Sequence, residues 1–192
     1  YILPSRLEKY EAMYDTEVQG GKSKFRQVDR EKSLQALMTT NLLKRLESSI
    51  HSFRLTLSKL KANHTELLKK IHAFEKSGSG LDLNDFTSDY KSMEVDDEEL
   101  SGIEDVTIGK KMQISLADMD LPSWKHDLKA DLFIIEGLLI EMDKITPADD
   151  FKLKHLSSHI DDKITKPINK GNKKVLIFTA FADTADYLYE KL

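Results

Sequence analysis

Apolar residues recur at alternating steps of four and three along the first half of the chain. This spacing places them on one narrow face of an α-helix. Further leucines upstream extend the pattern, so the sequence predicts one continuous helix over about 33–73, roughly 60 Å long at 1.5 Å per residue. His64 falls within this seam, where we expect it to pack and hydrogen-bond. The seam consists of Leu46, Ile50, Phe53, Leu57, Leu60, His64, Leu67, Ile71 and Phe74.

A narrow apolar stripe is stabilised only when another element removes it from water. Residues 122–145 offer such an element, because their apolar residues also follow helical spacing. We therefore expect an antiparallel pair of long helices. The expected contact face is Trp124, Leu128, Leu132, Ile135, Leu139 and Met142, and the apolar surface is widened by Phe133, Ile134, Leu138 and Ile140.

Shorter elements flank this pair. Residues 4–15 have the spacing of a short helix, and 18–23, with two adjacent glycines, predict a flexible break. Thr146, Pro147 and Asp149 together are typical of a helix start. The apolar stripe of that later helix is Leu153, Leu156, Ile160 and Ile164.

Charge is distributed unevenly although the net charge is only −4. Residues 1–76 have a net charge of +6, residues 77–120 of −9, and residues 121–192 of −1. The acidic stretch has few apolar residues, so little hydrophobic free energy offsets the entropy of ordering it. We predict a solvated acidic insertion over 77–120.

The last part of the chain changes character. Val175–Phe178 is an uninterrupted apolar run, typical of a strand buried on both faces of a parallel sheet, and a helix is predicted from about Asp183. One strand cannot satisfy its own edges, so this pattern implies further strands elsewhere. Together with Tyr1 as the first residue, it leads us to expect a piece of a longer protein.

Composition narrows the chemistry. The chain has no cysteine, which excludes disulfides and thiolate metal ligands. His155 and His159 share a helix face but lack a third ligand, and we expect them to be surface residues without metal. No run of about 18 apolar residues predicts a membrane span, so we expect a cytoplasmic protein that does not bind a membrane.

Three segments resemble, in the same order, parts of bacterial Swi/Snf-type helicases of superfamily II. The first is 42–50, LLKRLESSI, followed by Phe53 and Leu57. The second is Asp150–Leu153 with Leu156, which is similar to the helix leading into the second motor lobe. The third, 174–185 (KVLIFTAFADTA), is similar to helicase motif IV.

The resemblance implies a mainly α fold, with a long antiparallel helical hairpin or bundle and a C-terminal β-α stub of a RecA-like α/β lobe. The spacing of residues predicts an N-terminal helix and loop over 1–32, and the resemblance implies a helical interlobe domain over 33–165 and the start of the second lobe over 166–192. The parent enzyme would use ATP and Mg²⁺ to move along nucleic acid, with DNA favoured over RNA. This chain would need no cofactor, carry no catalytic residue and contact the remaining helicase lobes.

The resemblance also assigns roles to individual residues. Arg45, Ser48 and Ser49 are the expected interlobe contacts, since small side chains allow close backbone approach. Thr179 and Thr184 are the expected nucleic-acid contacts. The alternative is a non-enzymatic helical coiled-coil module whose seam recruits a partner helix, and exposed edges could drive self-association of the isolated fragment.

Overall fold

The computed structural model of the chain describes residues 1–18, 23–77 and 114–192. These residues are mainly helical, as the apolar spacing predicts. The helices are α1 (Leu7–Tyr14), α2 (Gln27–Ser48), α3 (Ile50–Ser77), α4 (Leu121–Asp143), α5 (Phe151–Thr165) and α6 (Ala182–Lys191). Two short strands, β1 (Thr16–Val18) and β2 (Ser23–Phe25), and 3₁₀ turns at Pro4–Arg6, Leu116–Asp118 and Pro147–Asp149 complete the described elements.

Helix α3 is the central element, because α2, α4 and α6 all contact it. Its pairing with α4 is antiparallel, as polar contacts along the two helices demonstrate. They run in opposite order: Lys125 Nζ to Glu75 Oε1 at 2.6 Å, Asp131 to His64 at 3.7 Å, Glu136 to Lys61 at 3.1 Å, and the Met142 carbonyl to Arg54 at 2.7 Å.

The core lies along the predicted seam. Ile71 is completely buried and Leu57 and Leu67 nearly so, while His64 packs with its Nδ1 hydrogen-bonded to the Leu60 carbonyl at 2.9 Å. The α4 residues expected at the contact are buried or half-buried, whereas the four that widen its apolar surface are exposed on the far side. One face of α4 therefore covers α3 and the other meets solvent.

The long helix predicted over 33–73 is wrong in one respect, because it is broken at Ser49. This residue is extended (φ −157°, ψ 148°), and its N–H donates to the Arg45 carbonyl, closing α2. Its hydroxyl accepts from the N–H of Ser52 at 3.0 Å, which is the usual cap at the start of a helix. The apolar spacing concealed the break, since it continues from Leu46 to Ile50 without a change of register.

Both ends of the flexible break predicted over 18–23 are paired instead. Strands β1 and β2 form an antiparallel hairpin in which Val18 faces Ser23 and Thr16 faces Phe25. Residues 19–22 lie outside the described residues. The glycines predicted a flexible break, and the sequence did not predict the short strands on either side because three-residue strands give little periodic signal.

The predicted acidic insertion contains residues that belong to the core. Most of it, 78–113, lies outside the described residues. Leu116, however, is 1% exposed and packs with the α3 and α4 core, and Asp118 is 7% exposed. The prediction of a solvated loop is therefore wrong for 114–120. It was based on the high acidic charge of the whole stretch, most of which lies before these residues.

Asp118 holds the N-terminal segment against this core. Its carboxylate accepts hydrogen bonds from the Lys9 ammonium and the Tyr10 hydroxyl, both at 2.8 Å, and the Arg6 guanidinium lies 3.2 Å away. The Tyr10 hydroxyl in turn accepts from the N–H of Ser115 at 3.1 Å. The hydrogen bond from Lys9, then that from Tyr10, lowers the pKa of the Asp118 carboxyl.

The C-terminal β-α stub is formed only in its helical half. Helix α6 is present, but 173–179 form no strand, and Leu176 and Phe178 are 78% and 86% exposed. A strand requires a neighbour for its backbone groups, and β1 and β2, the strands among the described residues, pair with each other. The run therefore has the apolar composition of a buried strand, but it joins no sheet among the described residues.

Removing the side chain of Ile71 should cost about 2–5 kcal/mol of folding free energy, because Ile71→Ala leaves a cavity in a fully buried site. Phe133→Ala, on the exposed face of α4, should change stability by no more than about 0.5 kcal/mol. Urea unfolding monitored by circular dichroism measures both. Equal losses in the two variants would contradict the assignment of the core to the α3–α4 contact.

Acid should weaken the N-terminal contact through Asp118. A carboxyl whose pKa is lowered on folding stabilises the protein above its unfolded pKa, about 3.9, and this stabilisation is lost as the pH falls through the lower folded value. In Asp118→Asn the loss of stability below about pH 4 should be shallower than in the wild type. Urea midpoints across pH test this, with the exposed Asp161→Asn as control; identical pH profiles for Asp118→Asn and wild type would contradict it.

Candidate functional site

Helix α6 lies against the break between α2 and α3. Its inward residues Thr184 and Tyr187, and Phe181 at its N-cap, are 5%, 8% and 5% exposed and are spaced three apart, so they lie on one side of α6. The residues they meet come from the end of α2, from Ser49 and from the start of α3. We call this surface the α6 contact; it consists of Arg45, Ser48, Ser49, Ser52, Phe181, Asp183, Thr184 and Tyr187.

Arg45 is the charged centre of the α6 contact. Its guanidinium donates to the Asp183 carboxylate at 2.8 Å and to the Ser52 hydroxyl at 3.2 Å. The same group lies 4.7 Å from the centroid of the Phe181 ring, within the range of a cation–π interaction. Only 15% of the Arg45 side chain is exposed, so this ion pair is less screened by water than a surface pair.

Three hydroxyl groups lie beside this ion pair. The Thr184 hydroxyl is 2.9 Å from that of Ser48 and 3.0 Å from that of Ser49. A hydroxyl has one donor and two acceptor positions, so Thr184 is able to serve both serines at once. Ser49 is 6% exposed and Thr184 5%, and pairing these hydroxyls avoids the cost of burying unpaired polar groups.

The other end of the α6 face contacts α3 and the start of α5. The Tyr187 hydroxyl donates to the Asp150 carboxylate at 3.0 Å, and its ring stacks on His51 with centroids 5.1 Å apart. Asp150 also caps α5 through the N–H of Leu153. Burial, and then the hydrogen bond to Asp150, raise the pKa of Tyr187 to about 12.

Next to Tyr187 lies a cavity of about 190 Å³. Its walls include His51, Arg54, Asp150 and Lys191, so basic and acidic groups are mixed. Arg54 is already engaged, because it donates to the carbonyls of Met142 and Ile145 at 2.7 and 3.2 Å. A cation at the carboxyl end of α4 satisfies carbonyls that have no partner within the helix. We therefore interpret Arg54 as a structural cap.

The predicted interlobe residues and one of the predicted nucleic-acid residues meet at this site. Arg45, Ser48 and Ser49 all contact α6 through Asp183 and Thr184. The hydroxyl of Thr184 is directed into the contact, so a phosphate contact by this residue would require α6 to move. Thr179 is half-buried and its hydroxyl bonds both the N–H and the carbonyl of Phe181, at 3.3 and 3.4 Å.

Sequence reasoning missed the partners on the other side. The sequence predicts only a helix start at Asp183 and gives Phe181, Tyr187 and Ser52 no predicted role. The three-residue spacing of Phe181, Thr184 and Tyr187 was an available signal for a buried face. No sequence signal indicated the pairing of Arg45 with Asp183, because 138 residues separate them.

The described part of the chain offers neither a three-ligand metal site nor a helix that could span a membrane. Within residues 1–18, 23–77 and 114–192, no group of three His, Cys, Asp or Glu side chains has the arrangement to hold a metal ion. The rings of His155 and His159 contact each other edge to face at 4.5 Å. Among the described helices, none combines the length and apolar character that crossing a membrane requires.

Comparison with protein-family models, with curated proteins and with solved structures gives no match for this chain. What the structure itself shows is a mainly helical fold with a polar contact at the break between α2 and α3.

Tyr187→Phe should remove one tyrosine that ionises near pH 12. Because folding raises the pKa of this phenol, the neutral form stabilises the fold below the unfolded pKa of about 10, and that stabilisation is lost as the pH rises through about 12. Spectroscopic titration of tyrosinate checks this, with exposed Tyr189→Phe as control. If both variants lost amplitude in the same pH range, the burial of Tyr187 in the α6 contact would be contradicted.

Proposed function

We propose that this chain is the helical region between the two motor lobes of a Swi/Snf-type ATPase, together with the start of the second lobe. In this proposal α3 and α4 form a rigid support, and the α6 contact joins the support to the second lobe. Movement of that lobe would reach the helices through Arg45, Ser48 and Ser49. The nucleic acid on which the motor acts would be DNA rather than RNA.

One observation carries the proposal. Two of the segments that resemble the family, 42–50 and 174–185, are far apart in sequence, yet their side chains meet in the α6 contact. The three residues that the resemblance assigned to an interlobe contact are those that touch Asp183 and Thr184. A chance resemblance in two separate segments gives no reason for them to lie together.

The exposed run before α6 gives further support. Val175 and Ile177 are 44% and 38% exposed, and Leu176 and Phe178 about twice that, so four consecutive apolar residues remain in contact with water. Burying a side chain of this size stabilises a protein by about 1.5–3 kcal/mol. Such a run is accounted for if a sheet outside this sequence covers it, as the second lobe of a motor would.

The proposed role is mechanical. In the proposed motor, ATP and Mg²⁺ are held by other parts of the enzyme, and this chain performs no step of hydrolysis. Phosphoryl transfer in such enzymes depends on the correct positioning of several groups from two lobes. The α6 contact would contribute by holding the second lobe at a defined place on the helical support.

The alternative, a helical module that recruits a partner through its seam, is less well supported. That hypothesis depends on the seam of α3 being open to another molecule. In the structure Leu57, Leu67 and Ile71 are buried, and α4 runs along the same helix. An interaction module would have to use a different surface from the one that motivated it.

The full-length motor should hydrolyse ATP faster in the presence of double-stranded DNA. Arg45→Ala should lower the stimulated rate by about tenfold or more, since hydrogen bonds to a charged group contribute about 1.5–3 kcal/mol and about 1.4 kcal/mol corresponds to a factor of ten. Steady-state phosphate release with and without DNA measures both effects.

Lys59→Ala is the matched control, because Lys59 is an exposed cation on α3 outside the α6 contact. It should leave the stimulated rate unchanged. A folded full-length protein without nucleic-acid-stimulated hydrolysis would count against the motor itself. An active enzyme in which Arg45→Ala and Lys59→Ala behave alike would count against the role of the α6 contact.

A further inference from the structure

The joint between α2 and α3 is a single residue. Between Gln27 and Ser77, Ser49 alone has non-helical backbone, and its two torsion angles fix the angle between two long helices. A rotation of either torsion would swing α2 relative to α3 without disturbing the hydrogen bonds inside either helix. Hinges of this type commonly consist of a few residues at the ends of elements.

The α6 contact holds both sides of this joint at once. Thr184 bonds Ser48, the last residue of α2, and also Ser49, the residue that caps α3. Arg45, in the last turn of α2, bonds Ser52 on α3 and Asp183 on α6. These bonds are compatible with one relative position of α2 and α3, so α6 stabilises a particular angle at Ser49.

Helix α6 itself depends on this contact. It has ten residues, fewer than the 12–15 that an isolated helix needs to be even marginally stable in water. The segment that joins it to α5, 166–180, is exposed along most of its length. Leaving the contact would therefore both undock α6 and favour its unfolding.

We infer that α6 acts as a strap that locks the joint at Ser49, so that release of α6 frees α2 to change its angle to α3. Coupling of this kind is reciprocal: whatever fixes the angle between α2 and α3 also favours docking of α6. The strap requires only contacts within this chain. Only its use in transmitting lobe movement rests on the proposed function.

Pulsed electron spin resonance between pairs of spin labels tests the strap without ATP or nucleic acid, so it can fail independently of the motor proposal. The chain has no cysteine, so each introduced pair is unique. Labels at Gln35→Cys and Lys59→Cys report the joint, and labels at Lys59→Cys and Tyr189→Cys report docking of α6. A third pair, Ala62→Cys and Lys129→Cys, reports the α3–α4 support.

The release variants must lie on α6, because Arg45 also bonds across the joint and its removal would disturb the angle directly. Asp183→Asn with Thr184→Val removes the ion pair and the shared hydroxyl while keeping side-chain size. In this variant the docking distance should lengthen and the joint distance should change from one narrow distribution to a broad one. The α3–α4 distance should stay as in the wild type, showing that the support is folded.

Asp186→Asn is the control, since Asp186 lies on the exposed face of α6; all three distances should match the wild type. A lengthened docking distance with an unchanged joint distance would overturn the strap, because α6 would leave without freeing α2. Unchanged docking would overturn it too, because the polar bonds would not be what holds α6. If the double variant does not show the wild-type α3–α4 distance, its support is not folded, and the single variant Thr184→Val is measured in its place. For that variant the same two results, an unchanged joint distance or unchanged docking, would overturn the strap.

Discussion

Burial of the α3 seam by α4 forms the core against which the other described segments pack. An apolar stripe nearly the length of α3 is kept from water only if a second helix runs along it, which fixes α4 as antiparallel and aligns Glu75 with Lys125 and Lys61 with Glu136. Leu116 and the segment after it complete the same core from a position just before α4. The N-terminal segment then attaches through Asp118. Without the α3–α4 contact, neither α1 nor α6 would have a fixed surface to bind.

The α6 contact differs from this core in its chemistry. The core is apolar and closes around Ile71, whereas the contact combines an ion pair, shared hydroxyls and a stacked tyrosine around the break at Ser49. Polar contacts are directional, so they specify one geometry, and their net contribution is smaller than that of a buried apolar seam. This combination suits an element that docks in a defined place and is able to leave, as the proposed coupling in a motor requires.

Several features were predictable because they are local. The helix over 122–145 and the contact face of α4 follow from spacing within a few residues. The later helix begins after its predicted start, because Thr146 and Asp149 cap the 3₁₀ turn Pro147–Asp149 and α5 begins only at Phe151, with Asp150 as its cap. The break at Ser49 was also signalled locally, by a serine before an apolar run, but the unbroken seam masked it. No local signal predicted the pairing of α6 with Arg45. The prediction that Arg45, Ser48 and Ser49 form a contact came from the resemblance to a family and not from their spacing.

Side-chain periodicity predicts the long helices and their apolar faces, because both depend on spacing along the chain. The burial of Asp118 depends instead on contacts between distant segments, since Lys9 and Arg6, which offset its charge, lie more than a hundred residues away. Among the described residues Val175–Phe178 join no strand, because β1 and β2 pair with each other and a strand forms only where a neighbour supplies its hydrogen bonds. Periodicity specifies what an element is able to bury, and the contacts between distant segments decide what it does bury.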